Sequence, residues 1–486
     1  MLVPPNDDDQ EHECAWRDYA EHLVAKLGAL ESKIAILERA AFGKKSEKTG
    51  KMPPVARPPK TPDETTARRN ELALLRADRI ETVDKTERVP DENKKCHICG
   101  GTNFRTVGDG KTCEIWEYVP GYFRRNRLRR ETVACRCGGC VITAPAPARW
   151  AKNTRYSSSF VAYLVVSKCL VVTPHYRLEQ LFARTGVPMA RSTMNDLFHR
   201  AAHKLERLRT PLFDAIRSDY LVHADETPFK LTTQTSKAFM WTFVGEHLTG
   251  YRFALSRGGD VPLEVLGNSE GALVCDDYRG YDPLERQGRR RRHGCFAHVR
   301  RKFFEAGDIT AAREALTVIG VLYAVEHEAE RRKILGTLEH LELRRQYSQP
   351  AFYRLMSLAR ELRWAEAPKT LLGRAARYAC KNFGDLRGFL RDARIPLDNN
   401  RAENAMRVVA LGRKNFLFVH SEDSGKNLAL LYSLVVSCTR AEVNPIEYLA
   451  DVLDRIERVP DDELAGMLPH RWKPPPKPAA PTEFDT

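Results

Sequence analysis

The stretch that decides the fold is Leu221-Val-His-Ala-Asp225-Glu226-Thr-Pro-Phe-Lys-Leu231. It predicts a β-strand in which Asp225 occupies a position where a core strand would carry an apolar side chain. A buried charge is costly unless it is paired or bound to a metal ion, so Asp225 is a candidate metal ligand. Glu226 points to the opposite face of the strand and is interpreted as structural.

Further strands are predicted after this one. Two β-rich runs, at residues 238–244 and 251–255, flank a turn with glycine and predict antiparallel pairing. A short helical piece is followed by Gly271-Ala-Leu-Val-Cys-Asp276-Asp277-Tyr278, which predicts a fourth strand ending in acids. Three strands, a helix and a fourth strand, with acids on the first and fourth, are the layout of a ribonuclease-H-like nuclease core.

A third acid is expected from a later helix. The segment Pro396-Leu-Asp398-Asn-Asn-Arg-Ala-Glu403-Asn-Ala-Met-Arg407 predicts a helix capped by Asp398 or an adjacent asparagine, with Glu403 in its first turns. Residues 305–390 are rich in Ala, Leu, Glu and Arg at helical spacing and predict an α-helical insertion into the core. Three carboxylates offer hard oxygen ligands for Mg²⁺ or Mn²⁺, and two such ions can support cleavage and joining of phosphodiesters.

The composition favours a nucleic-acid partner. The 486 residues are too many for one hydrophobic core, so several domains are expected. The 78 Lys and Arg residues against 64 Asp and Glu give a net charge of +14, which favours a polyanion, although a basic excess also aids solubility. The polar, acidic start and the lack of a long apolar run predict a soluble cytoplasmic protein without a membrane partner.

The N-terminal segment, residues 1–45, predicts a coiled coil. Its apolar positions alternate steps of four and three, and they are Ala20, Leu23, Leu27, Leu30, Ile34, Leu37 and Ala41. This repeat favours a homo-oligomer, with an amphipathic helix packed on its own protein as the alternative. Residues 46–90 are basic and rich in proline, and they predict a linker.

Cysteines crowd into residues 91–150, which we interpret as a zinc-ribbon-like DNA-binding module. Cys96 and Cys99 form one close pair, and the run Cys135-Arg-Cys137-Gly-Gly-Cys140 supplies a second. Four thiolates complete a closed tetrahedral Zn²⁺ site. Cys137 and Cys140 keep the usual two-residue gap, but Cys135 could replace either of them.

Residues 151–215 are predicted to be helical. Within them, residues 178–198 predict a helix, a turn at Gly186 and a second helix that Ser192 and Thr193 are positioned to cap. Such a pair reads DNA in some proteins, and it is also common in plain helical packing.

Five blocks of sequence make the comparison with known proteins specific. They are His223-Ala-Asp225-Glu226-Thr, Asp276-Asp-Tyr-Arg-Gly-Tyr281, Gly294-Cys-Phe-Ala-His298-Val-Arg-Arg-Lys-Phe303, Asp398-Asn-Asn-Arg-Ala-Glu403-Asn and Gly412-Arg-Lys-Asn-Phe-Leu-Phe418. In this order they resemble the transposases of the insertion-sequence-sixty-six family. The family usually has Asp-Gly-Tyr where this chain has Asp276-Asp277-Tyr278, so Asp277 competes with Asp276 for the metal.

The resemblance implies a function. It implies a DNA transposase with a DDE triad at Asp225, Asp276 and Glu403, acting on terminal inverted repeats and target DNA in the bacterial cytoplasm, associated with the nucleoid. Accessory proteins encoded by the element are further partners that it suggests. The rival functions are an inactive DNA-binding descendant and a junction-cutting nuclease on the same fold.

Basic residues near the triad are candidate DNA contacts. They are His298, Arg300, Arg301, Arg413 and Lys414, for which a solvated basic helix face is an equally good interpretation. Residues 289–292 are four arginines and predict a flexible loop that contacts DNA. The catalytic domain is expected to span residues 216–420, and residues 421–486 are expected to form a helical segment with a Pro-rich tail.

Overall fold

The computed structural model describes residues 132–134, 141–143, 149–152, 154–232, 237–287, 290–416 and 419–475. The predicted coiled coil, the linker and all five candidate zinc cysteines lie outside these residues, so those interpretations stay predictions. Among the helices of the described part, none is both long and apolar enough to cross a membrane.

In the described residues, two short strands and four helices precede the main sheet. The strands β1 (Thr132–Ala134) and β2 (Val141–Thr143) pair antiparallel. The helices are α1 (Ser158–Cys169), α2 (His175–Arg184), α3 (Arg191–Leu205) and α4 (Arg209–Ser218).

The helices α2 and α3 and the turn between them lie where the sequence predicted a helix, a turn and a helix. Gly186 in the turn has a φ of +79°, a left-handed conformation that glycine adopts without a steric cost. The predicted cap is wrong, because α3 already begins at Arg191 and its N-cap is Ala190, which places Ser192 and Thr193 inside the helix.

A five-stranded sheet forms the centre of the fold. Its strands are β3 (Leu221–Phe229), β4 (Ala238–Val244), β5 (Thr249–Ala254), β6 (Gly271–Val274) and β7 (Arg290–His293). Helix α5 (Asp260–Leu266) lies between β5 and β6 in sequence, and α6 (Asp282–Arg286) lies between β6 and β7. The strand order is β5-β4-β3-β6-β7. The first three strands pair antiparallel, whereas β6 runs parallel to β3 and β7 runs parallel to β6. The three predicted strands, the helix and the fourth strand are therefore present, and the mixed sheet is compatible with an α/β nuclease-like core.

The fifth strand corrects the prediction of a flexible arginine loop. Arg290 and Arg292 lie on β7 and are only 2% and 6% exposed, while Arg291 between them faces solvent. The buried guanidinium of Arg290 donates to the backbone oxygens of Arg217, Asp219, Tyr220 and Ala272 and to Ser269 Oγ. These acceptors satisfy the buried donors, so residues 290–292 are part of the sheet instead of a solvated loop.

Nine helices of the described residues follow β7. They are α7 (Phe296–Glu305), α8 (Thr310–Arg331), α9 (Leu338–Leu343), α10 (Gln349–Ala365), α11 (Leu371–Lys381), α12 (Phe383–Leu386), α13 (Asn400–Phe416), α14 (Glu422–Arg440) and α15 (Pro445–Arg455). Helices α8 to α12 occupy the stretch where a helical insertion was predicted. Helices α8, α10, α11 and α12 share a hydrophobic core with α7 and with Ala272 and Val274 of β6.

A second hydrophobic core joins β3, β4 and β5 to helices on both ends of the chain, including α1, α3, α14 and α15. Helix α14 packs closely on β5, because Gly425 lies against the ring of Phe253 and leaves no room there for a Cβ atom. The backbone N–H groups of Thr249 and Tyr251 donate to Ser437 Oγ and Ser433 Oγ of α14, at 2.9 and 2.7 Å. These contacts fix the sheet on one side while α13 packs on β3.

Candidate active site

Two of the predicted acids lie near the same ends of two neighbouring parallel strands. β3 and β6 are paired up to His223 and Val274, and Asp225 and Asp276 each stand two residues further along. Asp225 lies on β3 and Asp276 lies just beyond the end of β6, and the negative charge of Asp276 contributes to raising the pKa of Asp225. The sheet therefore brings Asp225 and Asp276 together.

The third acid, Glu403, comes from the first turn of α13. Asp398 Oδ1 accepts a hydrogen bond from the backbone N–H of Asn400 at 3.0 Å, which satisfies one donor at the start of the helix, as the sequence predicted. Because α13 packs against β3, the carboxylate of Glu403 lies within electrostatic reach of Asp225.

The pKa of Asp225 is raised by its burial and by the negative charges around it. Burial, assisted by the charges of Glu226, Asp276 and Glu403, raises the pKa of Asp225 to about 7. The backbone N–H of Glu226, which donates to Asp225 Oδ1 at 2.9 Å, acts in the opposite direction. A cluster of acids that resist joint ionisation is the arrangement that a divalent cation stabilises.

This raised pKa predicts a pH-dependent stability for the metal-free protein. Between the ordinary pKa of 3.8 and about 7, folded Asp225 keeps a proton that the unfolded chain has lost, so stability falls as pH rises through this window. We expect Asp225→Asn to reduce the fall in thermal midpoint between pH 4 and pH 8 in EDTA, because asparagine cannot ionise. A midpoint that falls equally in both proteins would contradict the shift.

One carboxylate oxygen of Glu403 is left without a hydrogen-bond partner in the described residues. Within the described residues, Glu403 Oε1 is buried and accepts no hydrogen bond. The guanidinium Nη2 of Arg301 lies 4.0 Å from the other oxygen, Oε2. An unsatisfied buried carboxylate oxygen beside two further acids fits a divalent cation, which takes oxygen ligands.

Two other side chains accompany Glu403. His298 Nδ1 lies 3.9 Å from Glu403 Oε1, and Cys295 Sγ completes a group whose donor atoms lie within 4.8 Å of one another. Burial lowers the pKa of His298 more than the Glu403 carboxylate raises it. Burial also raises the pKa of the Cys295 thiol to about 11.

The neighbouring aspartates 276 and 277 have different partners. Asp276 Oδ1 accepts a hydrogen bond from the backbone N–H of Tyr278 at 3.0 Å. The carboxylate of Asp277 lies 2.7 Å from Lys381 Nζ and 3.5 Å from Arg292 Nη2. Two cations therefore balance the charge of Asp277.

Glu226 is held in a separate set of contacts, in agreement with its interpretation as structural. Its carboxylate accepts from Arg257 Nη2 at 2.6 Å and from the hydroxyl of Tyr281 at 2.8 Å. Arg257 also stacks on the ring of Tyr278, 3.9 Å from its centroid. Glu226 thus anchors the segment that follows Asp276.

Two buried residues, His223 and Asn399, position the acids. The sequence did not predict this role for either of them. Asn399 Oδ1 accepts from His223 Nδ1 at 3.1 Å, and Asn399 Nδ2 donates to the backbone oxygen of Ala224 at 2.7 Å. The backbone oxygen of Asn399 accepts from the N–H of Glu403 at 3.1 Å. Asn399 therefore links the strand of Asp225 to the helix of Glu403. The sequence had suggested Asn399 only as a possible helix cap.

The candidate DNA contacts differ in their surroundings. Arg301 and Lys414 are exposed, whereas His298 and Arg300 are half-buried. Arg413 Nη1 donates to Thr227 Oγ1 at 3.0 Å and to the backbone oxygen of Pro228 at 2.5 Å, so it ties α13 to β3.

Comparisons with known proteins match most of the chain. Residues 153–427 match the transposase IS66 family, and residues 93–138 match the zinc-finger binding domain of transposase IS66. The second match includes Cys135 and Cys137 and stops before Cys140.

Three similar proteins come from Sinorhizobium fredii (strain NBRC 101917 / NGR234). The uncharacterized protein y4jD is 31% identical over 79% of this chain and 79% of its own length. The uncharacterized protein y4qI is 29% identical over 82% of this chain and 76% of its own, and y4hP is 26% identical over 92% and 89%.

Proposed function

Because the chain belongs to the IS66 transposase family, we propose that it cuts the ends of an insertion sequence and joins them to target DNA at Asp225, Asp276 and Glu403. The observation that carries this proposal is the convergence of the three acids, with the pKa of Asp225 raised to about 7 and Glu403 Oε1 left without a protein partner. The sheet supports it as well, since the order β5-β4-β3-β6-β7 with three antiparallel and two parallel strands fits a ribonuclease-H-like core.

The three acids would hold Mg²⁺ or Mn²⁺. When bound, such ions supply the Lewis acidity that activates an attacking oxygen and stabilises the leaving oxygen. Asp225 and Asp276 are fixed by the sheet, and Asn399 fixes the start of the helix that carries Glu403. A pre-organised ligand set of this kind reduces the cost of ordering at the moment of reaction.

The proposed reaction has two phosphoryl transfers at one site. Water attacks the phosphodiester at the end of the element, which breaks the bond to the 3′-oxygen and frees a 3′-hydroxyl. That hydroxyl then attacks a target phosphodiester, and the target strand leaves with its own 3′-hydroxyl. Neither step needs a covalent bond to the protein.

We assign the second acid to Asp276 in preference to Asp277. The carboxylate of Asp277 is engaged by Lys381 and Arg292, so its charge is already balanced. Asp276 follows the end of β6, which pairs with the strand of Asp225, and its charge acts on the carboxylate of Asp225. This difference supports the acid that aligns with the family motif.

Binding of the DNA ends would use other parts of the chain. We propose that residues 91–150 hold Zn²⁺ through Cys96, Cys99 and two of the cysteines 135, 137 and 140, with 137 and 140 keeping the usual gap. The exposed Arg301 and Lys414 would contact phosphates near the acids, together with Arg300 and the helix pair α2 and α3 in the region 151–215. Oligomerisation through residues 1–45 would pair two ends, with accessory proteins as further partners.

The test uses the purified full chain, duplex DNA carrying the terminal inverted repeats, a target plasmid and Mg²⁺. We expect nicks at the repeat ends with free 3′-hydroxyls, followed by joined product, and EDTA should abolish both. Binding of repeat DNA without any nick would identify an inactive descendant. Cleavage of four-way DNA with no joined product would identify a junction-cutting nuclease.

A further inference from the structure

A nitrogen donor stands beside the acid cluster. His298 Nδ1 and Glu403 Oε1 are 3.9 Å apart, which is too long for a hydrogen bond between them. Both atoms are buried, and neither has a hydrogen-bond partner within the part of the chain that the structure describes. Two facing buried polar atoms without hydrogen-bond partners are costly unless a third group lies between them.

A cation between the two atoms accounts for their separation. Metal bonds to histidine nitrogen and to carboxylate oxygen are each about 2.0–2.2 Å long, so an ion in line with both atoms would hold them about 4.2 Å apart, and less in a bent arrangement. The observed 3.9 Å agrees with a bent one. We propose that His298 is a metal ligand that shares a divalent cation with Glu403. This inference rests on the proposed function and adds a nitrogen donor to its three acids.

The fold holds these two side chains face to face. His298 lies in the first turn of α7, as Glu403 does in α13. The backbone N–H of Phe296 donates to the oxygen of Leu397 at 2.8 Å, and the N–H of Asn399 donates to Cys295 Sγ at 3.3 Å. The starts of α7 and α13 are therefore bound to each other, which fixes the ligand pair before any ion binds.

Cys295 belongs to the same group of donors but has a different role in the proposal. Its sulfur already accepts the N–H of Asn399, and the residue is 1% exposed. Hard ions such as Mg²⁺ and Mn²⁺ prefer oxygen, tolerate imidazole and disfavour sulfur. We therefore assign Cys295 to positioning, and bound Mn²⁺ in Cys295→Ala should keep its coupling to the nitrogen of His298.

The test uses Mn²⁺ alone with the full chain and needs no DNA. Pulsed electron paramagnetic resonance should detect coupling between bound Mn²⁺ and a ¹⁴N nucleus, and His298→Gln should remove that coupling and weaken Mn²⁺ binding at least about tenfold. His327→Gln is the matched control, because the His327 side chain is 68% exposed on α8 and faces Glu330 instead of the acid cluster. It should change neither the coupling nor the affinity.

A rescue variant separates a ligand from a structural histidine. His298→Asp replaces the nitrogen donor with an anionic oxygen donor, so it should recover most of the affinity lost in His298→Gln without recovering the nitrogen coupling. Unchanged nitrogen coupling in His298→Gln, or no coupling in the original protein while Asp225→Asn still removes Mn²⁺ binding, would overturn the proposal. If the coupling depends on His298 but repeat DNA is neither cut nor joined, the ligand assignment stands and the transposase function fails.

Discussion

Asp225→Asn is expected to abolish metal-dependent cleavage and joining of repeat-end DNA, with a loss of at least about a thousandfold. The Lewis acidity of a divalent cation contributes several kcal/mol to such reactions, and each 1.36 kcal/mol corresponds to a factor of ten in rate. Asparagine keeps the shape of the side chain but removes the negative charge that the cation requires. The rate is measured from single-turnover nicking of labelled repeat DNA in Mg²⁺, with repeat binding recorded in EDTA.

The neighbouring acids supply the controls for this experiment. Asp276→Asn and Glu403→Gln should be as inactive as Asp225→Asn while all three retain binding to the repeats. Asp277→Asn is the matched control, because Asp277 stands next to Asp276 but pairs with Lys381 and Arg292. An inactive Asp277→Asn together with an active Asp276→Asn would move the second ligand by one position. Full activity in any triad variant would remove that residue from the site.

The acids and the sheet were accessible to sequence reasoning because each leaves a local mark. Asp225 is a charged residue in the otherwise largely apolar strand Leu221–Phe229, where an apolar side chain is expected. Asp398 indicates where the helix that carries Glu403 begins. Local pattern therefore identified the acids as candidates and predicted the strands β3 to β6.

The positioning residues left no such mark. Asn399 is buried because its side chain meets His223 and the backbone of Ala224, which lie about 175 positions earlier in the chain. Burial lowers the pKa of His223 to about 3, so this histidine is a neutral hydrogen-bond partner instead of a charged group. Arg413 was interpreted through its charge, whereas its bonds to β3 depend on a distant strand.

Charge runs are the clearest case in which local pattern misled. Four consecutive arginines suggest a solvated segment. In β7, however, the side chains of Arg290 and Arg292 point into the protein, where backbone oxygens and carboxylates from other elements accept their hydrogen bonds. The acceptors come from segments that the sequence alone does not bring together. Whether a basic run lies in solvent or in a sheet is therefore decided by tertiary contacts.

Arg292→Met is expected to lower the free energy of unfolding by about 3 kcal/mol, the lower end of the range for breaking a buried ion pair. Arg292 donates to Asp282 at 2.9 Å and to the backbone oxygen of Asp276 at 2.6 Å, and it lies 3.5 Å from Asp277 and from Asp385. Its loss leaves three acids without their shared cation. Their side chains are 21% to 31% exposed, so water reduces part of the cost.

The neighbouring position on β7 makes this expectation specific. Arg291 is exposed on the same strand, so Arg291→Met should change the free energy of unfolding by less than about 0.5 kcal/mol in urea denaturation. Equal effects of the two substitutions would contradict the inward and outward alternation of the strand. Because Arg292 also holds the backbone of Asp276, Arg292→Met should slow cleavage even under conditions where the variant remains folded. Arg291→Met should not, since its side chain lies outside the contacts that fix the second acid.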